Sequence, residues 1–284
     1  MAQRLVFSGP AQVAVEEFDP PAPKATQVVI KTKVSLVSPG TEGIVFNRMF
    51  DPGTHWDRWV KYPFYPGYAA VGEVVEAGRD VTALKRGDLV AVRLGHASMH
   101  VAEAAGCYPI PKGLTPTDAA WFALAKIAFM GALAAEHHLG DRVAIIGAGP
   151  IGQMSVRWAR AAGARDIVSI DFARPRLELA RRGGATAVVG KSIEQAVDDV
   201  KAALGGALPR VVIDGTGNAK VFQHALAMAA PRGRVVVLGD TGAPGEQRLS
   251  SDVIMKGLTV VGAHDSHSDG PWPEVRIVEP VSYT

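Results

Sequence analysis

The stretch of sequence that decides the fold is RVAIIGAGPIG, residues 142–152. Its first five residues, 142–146, are mostly apolar and β-branched and predict a short buried strand. Three glycines follow at once. Gly147 would permit a tight turn, Gly149 would let the backbone approach a pyrophosphate, and Gly152 would let a helix pack closely on the strand. A strand, a glycine turn and a helix in this order are typical of a dinucleotide-binding loop.

The helix that opens at this loop is expected to contact the phosphates of the cofactor. Its first turn contains Pro150, Ile151 and Gly152, and a helix N-terminus presents free N–H groups to anions. With Gly147 and Gly149, these residues form the predicted pyrophosphate site. A tight turn without a ligand is the alternative interpretation of the glycines.

A carboxylate follows the second predicted strand, residues 166–170. Asp171 could accept hydrogen bonds from both ribose hydroxyls of the adenosine, whereas a 2′-phosphate there would meet like charge. The sequence therefore favours NAD over NADP as the cofactor. Arg174 and Arg176 lie nearby and keep NADP open, and we expect Arg176 to belong to the cofactor site.

Strands and helices alternate along the second half of the chain. The predicted strands cover 142–146, 166–170, 186–189, 210–214, 234–238 and 258–263, and the predicted helices cover 150–163, 174–183, 193–204 and 219–229. Short apolar strands separated by helices indicate an α/β fold in which a doubly wound parallel sheet carries helices on both faces.

Two further turns follow the fourth and fifth of these strands. The first contains Gly215 and Thr216, and the second contains Leu238 and Gly239. Because ligands of open α/β sheets bind outside the carboxyl ends of the strands, we expect both turns to pass near the nicotinamide half of the cofactor. Taken singly, the two glycines could equally be plain turn residues.

The first part of the chain has a different pattern. Short β-rich segments separated by Gly and Pro turns predict a β-barrel-like domain. A helix is then predicted from Thr115 or Thr117 as N-cap to near Leu139-Gly140. The predicted domains are therefore residues 1–115, a nucleotide-binding domain over 116–265, and a short C-terminal segment over 266–284.

Composition excludes several classes of function. The formal net charge of +2 is too small for the basic field that nucleic acid binding needs. No long apolar run is present, so we expect neither a membrane span nor a signal peptide, and a cytoplasmic protein. The single cysteine, Cys107, excludes an internal disulfide and every zinc site built from two or more thiolates.

Motifs in both halves resemble those of the medium-chain dehydrogenase/reductase superfamily. They are Pro66-Gly67-Tyr68, Ala70-Val71-Gly72-Glu73-Val74, Arg86-Gly87-Asp88-Leu89-Val90 and the glycine loop at 147–152. The resemblance covers residues 1–265. It implies a GroES-like β-barrel domain, a Rossmann domain, a small-molecule substrate and a homodimer, with residues 266–284 as a shortened return to the first domain.

The sequence differs from zinc-containing members of the superfamily at the metal-ligand positions. Zinc members place a Cys, a His-Glu pair and a further ligand where this sequence has Ser38, then Tyr68 and Ala69, and then Phe122 or Ala123. None of these is a good zinc ligand. The four-cysteine structural zinc lobe of the family cannot form either. We therefore predict a member that has neither the catalytic nor the structural zinc.

Without zinc, another group must stabilise the developing oxyanion. The resemblance puts Lys126 on the helix before the nucleotide domain, where burial would make it a usable acid or a cation for the substrate oxygen; a lysine that reaches solvent is the alternative. Tyr68 replaces the metal-binding His and could donate a proton, or only pack. Thr41 matches the hydroxyl residue that relays the substrate proton, or forms a turn.

The leading hypothesis is a zinc-independent oxidoreductase that transfers a hydride between NAD(H) and a carbonyl or secondary alcohol. A second hypothesis is reduction of an activated carbon–carbon double bond, which also occurs among zinc-free relatives. A third is a nucleotide-binding protein that does no chemistry and acts as a redox sensor or a structural subunit.

Overall fold

The computed structural model describes residues 1–267, which form two compact units. The first unit covers residues 1–123 and the second begins at Leu124. The boundary predicted after residue 115 lies just before this division. Of the predicted C-terminal segment 266–284, only residues 266 and 267 are described, and the rest lies outside the described residues.

The first unit is built mainly from antiparallel strands. Its strands are β1 (Ala2–Gly9), β2 (Gln12–Phe18), β3 (Gln27–Ser35), β4 (Ala70–Ala77), β5 (Leu89–Val92), β6 (Met99–Glu103) and β7 (Cys107–Pro109), and its helices are α1 (Pro39–Asn47), α2 (His55–Trp59) and α3 (Pro116–Ala119). A five-stranded sheet has the order β6-β3-β4-β5-β7, and β1 pairs with β2 in a separate hairpin.

Two apolar clusters hold this unit together. Val28 and Ile30 of β3 are fully buried with Val74 of β4 and Val90 of β5 inside the five-stranded sheet. The second cluster packs Val45 of α1 with aromatic side chains, among them Phe7 and Trp56. Burial of these side chains stabilises the fold by roughly 1.5–3 kcal/mol each. It also fixes α1, the helix that carries Thr41 and Glu42.

The second unit is a parallel sheet with helices. Its strands are β8 (Arg142–Ile146), β9 (Asp166–Ile170), β10 (Ala187–Val189), β11 (Val211–Asp214), β12 (Arg234–Val237) and β13 (Thr259–Gly262), and its helices are α4 (Phe122–Ala135, entering from the first unit), α5 (Pro150–Ala161), α6 (Arg174–Arg182), α7 (Ile193–Ala203), α8 (Ala219–Met228) and α9 (Asp252–Met255). The order β10-β9-β8-β11-β12-β13 is parallel throughout. The predicted doubly wound α/β sheet is confirmed.

Both faces of the central strands of this sheet are buried. Val143 and Ile145 of β8 pack into a cluster on one face, while Ala144 and Ile146 pack into a cluster on the other. Successive side chains of a strand point to opposite faces, so a strand covered on both sides must be apolar throughout. This is why central strands such as β8 and β11 could be recognised as mostly apolar runs, whereas β13 at the edge of the sheet is largely exposed.

The single helix predicted from residue 115 to near 139 is wrong. The structure has two helices, α3 and α4, separated at Ala120-Trp121. Thr115 is the N-cap of α3, and its side chain accepts a hydrogen bond from the Asp118 N–H. Helix α4 ends early because Glu136 adopts a left-handed conformation with φ of 45°. No helix within residues 1–267 is long and apolar enough to cross a bilayer.

Candidate functional site

The glycine loop lies between β8 and α5, at the carboxyl edge of the parallel sheet. Gly147 has φ of +88°, a conformation that favours glycine, and its N–H donates to the carbonyl of Ile170 at 2.8 Å. A Cβ at Gly152 would collide with the carbonyl oxygen of Gly147. A Cβ at Gly149 would meet no protein atom within 4 Å. The loop is thus closed on its protein side and open beside Gly149.

The first turn of α5 completes this loop. Gly149 is the N-cap and Pro150 the first helical residue, so the first N–H donors of the helix belong to Ile151 and Gly152. The first bond within the helix is donated by the Gln153 N–H to the Gly149 carbonyl at 2.9 Å. A pyrophosphate fits here, because an open backbone surface and unpaired helix N–H groups meet.

Asp171 follows β9 and is tied to the glycine loop. One carboxylate oxygen accepts from the Ala148 N–H at 2.7 Å and the other from the Ala173 N–H at 2.8 Å. The side chain is 11% exposed, and the more exposed guanidinium of Arg176 lies 3.9 Å from it. The carboxylate therefore holds the loop, and its predicted contact with ribose stays a prediction.

Gln153 was missed by the sequence analysis. Its side-chain amide donates to the carbonyls of Ala148 and Arg176, each at 2.9 Å. It therefore joins the glycine loop to the first turn of α6. An amide in the first turn of a helix is an ordinary surface residue in sequence, and only its burial in the fold reveals the bridging role.

The turns after β11 and β12 lie against each other. A Cβ at Gly239 would collide with the backbone N of Gly217, whereas one at Gly215 would have ordinary contacts. A Cβ at Gly147 would lie 3.0 Å from the methyl of Thr216, and the Leu238 N–H donates to the Asp214 carbonyl at 3.0 Å. The structure therefore gathers all the predicted cofactor residues along one sheet edge.

Asp214, the last residue of β11, is a buried carboxylate that the sequence analysis did not single out. Its side chain accepts from the N–H and the hydroxyl of Thr216, at 3.0 and 2.7 Å. Burial raises the pKa of this carboxyl above its ordinary value, while the two bonds from Thr216 oppose the rise. The carboxylate fixes Thr216 beside the glycine loop.

The raised pKa of Asp214 predicts how stability depends on pH. Between the ordinary carboxyl pKa and the raised one, the folded protein holds a proton that the unfolded chain has lost, so stability falls as pH rises. Asp214→Asn removes this titration and keeps an oxygen for Thr216. We expect the variant to match the wild type near pH 4 and to unfold several degrees higher at pH 7. Thermal unfolding of both proteins at pH 4 and pH 7 checks this. The same difference in unfolding temperature between variant and wild type at both pH values would contradict it.

In the first unit, three hydroxyl groups meet where α1 begins. The phenol of Tyr68 donates to Ser38 Oγ at 2.6 Å, and Thr41 Oγ1 lies 3.5 Å from the same phenol oxygen. Ser38 is the N-cap of α1 and is buried. Thr41 lies in the first turn of the helix, rather than in an isolated turn. The predicted pair Tyr68 and Thr41 is therefore brought together by the fold.

Burial sets the charge state of Tyr68. It raises the pKa of the phenol, whereas the hydrogen bonds that the phenol shares with Ser38 and Thr41 lower it. The guanidinium of Arg93 lies over the ring, 5.4 Å from its centroid, and also lowers the pKa. The net rise keeps Tyr68 a neutral phenol at neutral pH. It can donate a hydrogen bond to an oxygen and is poorly suited to ionise.

Lys126, the third predicted catalytic residue, belongs to the second unit. Its side chain is only 3% exposed and its ammonium lies 3.0 Å from the carboxylate of Asp265, just beyond β13. Lys126 therefore does not reach solvent from a partly exposed helix. Asp265 was missed by the sequence analysis, which had no signal linking it to α4.

The family described as "Alcohol dehydrogenase GroES-like domain" matches residues 24–136, and the family described as "Zinc-binding dehydrogenase" matches residues 150–276. The two matches together cover most of the chain. The chain belongs to the medium-chain dehydrogenase/reductase superfamily.

Several members of this superfamily are similar along nearly the whole chain. The L-threonine 3-dehydrogenase of Bacillus licheniformis is 29% identical over 291 aligned positions, covering 90% of this chain and 81% of that protein. A zinc-binding dehydrogenase of Sinorhizobium meliloti, solved with NADP bound, has a TM-score of 0.83 at 22% identity and covers 100% of this chain and 89% of that one. An alcohol dehydrogenase of Escherichia coli CFT073, solved with NADH, has a TM-score of 0.81 at 20% identity, covering 99% and 88%. These likenesses confirm the predicted GroES-like and Rossmann-like domains.

Of the side chains that the family resemblance places at the metal positions, none carries a thiolate, an imidazole or a carboxylate. Ser38 and Tyr68 are hydrogen-bonded to each other, and Ala69, Phe122 and Ala123 have no donor atom in their side chains. Within residues 1–267, no three His, Cys, Asp or Glu side chains cluster as metal ligands would. Zinc prefers thiolate, imidazole and carboxylate ligands, so the donor set here suits hydrogen bonding to an oxygen.

Proposed function

We propose that this chain is a zinc-independent oxidoreductase that transfers a hydride between NAD(H) and a carbonyl or secondary alcohol. The observation that carries the proposal is the glycine loop at the carboxyl edge of a parallel sheet, closed at Gly152 and open at Gly149. The nicotinamide ring, when bound, supplies or accepts the hydride. The chain's own residues bind the cofactor, orient the substrate and donate hydrogen bonds to its oxygen.

The cofactor-binding residues act by position. The backbone of the loop and the first N–H groups of α5 would hold the pyrophosphate, and Asp171 would hold the adenosine ribose while fixing the loop through Ala148. A carboxylate at this place supports NAD rather than NADP. The test is direct titration with both cofactors, and we expect NADH to bind at least tenfold more tightly, since a phosphate beside Asp171 is repelled.

Tyr68 is proposed as the hydrogen-bond donor to the substrate oxygen. Its single O–H, which donates to Ser38 Oγ in this structure, turns to the substrate, and the Ser38 hydroxyl then donates to the phenol oxygen. The raised pKa of Tyr68 keeps the proton on the phenol at neutral pH, so the group can stabilise an oxygen on which negative charge develops. Thr41 and Ser38, which lie 3.5 and 2.6 Å from the phenol oxygen, can pass a proton toward or away from it. Lys126 is proposed to supply a positive charge that stabilises the negative charge developing on a substrate oxygen.

Zinc independence is part of the proposal and is directly testable. The hydroxyl pair at Ser38 and Tyr68, in place of thiolate and imidazole, supports it. We expect extensive dialysis against a strong chelator to leave turnover within about twofold, because no Lewis acid takes part. Metal analysis of the same samples is the control. Stoichiometric zinc, lost together with activity and restored on adding zinc, would contradict the prediction.

The reaction itself is tested by isotope transfer. NADH carrying deuterium at the transferred position is incubated with a panel of carbonyl and enone substrates, and the products are analysed by mass spectrometry and NMR. Deuterium on a carbon bearing oxygen supports the proposal, and deuterium β to a carbonyl supports double-bond reduction. Tight NADH binding without turnover across the panel would support a non-catalytic role.

A homodimer, implied by the resemblance, is tested by sedimentation.

A further inference from the structure

A chain of buried polar groups lies behind the hydroxyl cluster of the first unit. The imidazole of His96 sits between Ser35 and Glu42, with Nδ1 2.8 Å from Ser35 Oγ and Nε2 2.9 Å from Glu42 Oε2. The side chains of His96 and Glu42 are 5% and 8% exposed. Buried polar groups are expensive unless they are hydrogen-bonded, so this arrangement holds its members in fixed positions.

The hydrogen bonds of this chain run toward the proposed catalytic phenol. Nε2 of His96 and Oε2 of Glu42 share one hydrogen bond. The other oxygen of Glu42 accepts from the Ser38 N–H at 2.7 Å, and Ser38 Oγ accepts from Tyr68. Each link between His96 and the phenol is therefore a bond of ordinary length or shorter.

The backbone of His96 is tied to the segment that carries Tyr68. The His96 N–H donates to the Pro66 carbonyl at 2.9 Å. Gly67 lies so close that a Cβ there would approach the imidazole and the backbone N of His96 to 2.9 Å. His96 thus contacts the loop before Tyr68 through its backbone and α1 through its side chain.

We propose that Glu42 and His96 are positioning residues that hold the Ser38–Tyr68 hydroxyl pair in the geometry used for the substrate oxygen. The inference rests on the proposed function of Tyr68. Glu42 and His96 act through Ser38 and do not touch the substrate.

The first experiment monitors the environment of Tyr68 by NMR and does not depend on enzyme activity. Fluorotyrosine is placed at position 68 of the full chain, and its ¹⁹F resonance is recorded at pH 7 in the wild type and in Glu42→Gln and His96→Gln. We expect both variants to move the resonance in the same direction by more than its linewidth, because both loosen the bond to Ser38. Circular dichroism and NADH binding confirm that each variant is folded.

His100→Gln is the matched control. His100 is also a buried histidine, on β6, and its Nε2 has no hydrogen-bond partner within the described part of the chain. Burial lowers its pKa to about 4, so it is neutral at pH 7. We expect its substitution to leave the ¹⁹F resonance unchanged. Ser35→Ala, which removes the partner of His96 Nδ1 and leaves Glu42 in place, is the milder variant should Glu42→Gln fail to fold, and we expect it to move the resonance in the same direction.

The second experiment is a double-mutant cycle on turnover. Glu42→Gln and His96→Gln are each expected to lower kcat about tenfold or more with NADH affinity within about twofold. Combined with Tyr68→Phe, they should lower kcat no further, because they act through the same phenol. Multiplicative effects would overturn the proposal, as would a ¹⁹F resonance that stays in place. Absence of turnover in the wild type would count against the proposed function, while the ¹⁹F result still decides the positioning role.

Discussion

Gly152→Ala is expected to lower the affinity for NADH about 100-fold and to destabilise the free protein. The added methyl would collide with the carbonyl oxygen of Gly147, so either the loop or the start of α5 must move. Overpacking of this kind costs roughly 1–3 kcal/mol, and the displaced backbone is the surface that would hold the pyrophosphate. Thermal unfolding without cofactor and titration with NADH measure the two effects.

Gly149→Ala is the matched control within the same loop. No protein atom lies within 4 Å of the added methyl, and Gly149 has φ of −67°, which alanine adopts without strain. The free protein should therefore be as stable as the wild type or slightly more stable, while NADH binding weakens because the methyl occupies the open side of the loop. Wild-type affinity in Gly149→Ala would show that the pyrophosphate does not lie there.

The parallel sheet was predictable because its signals are local. The strand over 142–146 and the strand over 166–170 match β8 and β9 residue for residue. Three others differ by one residue at one end, and the last, predicted over 258–263, differs by one residue at each end. A strand buried on both faces is apolar along its length, and each lies between turn residues or helix caps. Periodicity and turn chemistry therefore carry this part of the fold without tertiary information.

The helix before the sheet shows where local signals end. Its run of alanine and apolar residues predicts a helix beyond Ala135, yet α4 stops there. The guanidinium groups of Arg234 and Arg210 donate to the carbonyls of Ala134 and Glu136, which would otherwise lack partners at a helix end. Both arginines lie on or beside strands of the sheet, far away in sequence, so pattern alone could not place this end.

The candidate site also contains residues that local sequence predicts and residues that only the fold brings together. The glycine loop and Asp171 were predicted because spacing along the chain encodes them. Glu42 and His96, 54 residues apart, meet only in the folded unit, and neither the acid nor the histidine has a distinctive sequence context. The family resemblance located Tyr68 and Thr41 but gave no partner for Glu42. Networks of buried polar side chains depend on tertiary packing, which a single sequence does not display.

Lys126→Met is expected to lower kcat about 100-fold while NADH affinity stays within about threefold. The ammonium is the cation proposed for the substrate oxygen, and loss of one such charge or donor typically costs 10²–10³ in kcat. The side chain is also a partner of Asp265 at 3.0 Å, so its removal should destabilise the fold. Because Asp265 is 20% exposed, we expect this loss to be about 2 kcal/mol, below that of a fully buried pair.

Asp265→Asn separates the two roles of Lys126. It removes the charge partner and should lower stability by a similar amount, but it keeps the ammonium on α4, so kcat should fall less than tenfold. Steady-state kinetics and chemical denaturation of the same preparations give both numbers. If Lys126→Met and Asp265→Asn lose turnover equally and in step with stability, the lysine is a structural partner of Asp265. A turnover loss confined to Lys126→Met identifies the ammonium as the group that acts, because that variant removes the ammonium, whereas Asp265→Asn keeps it.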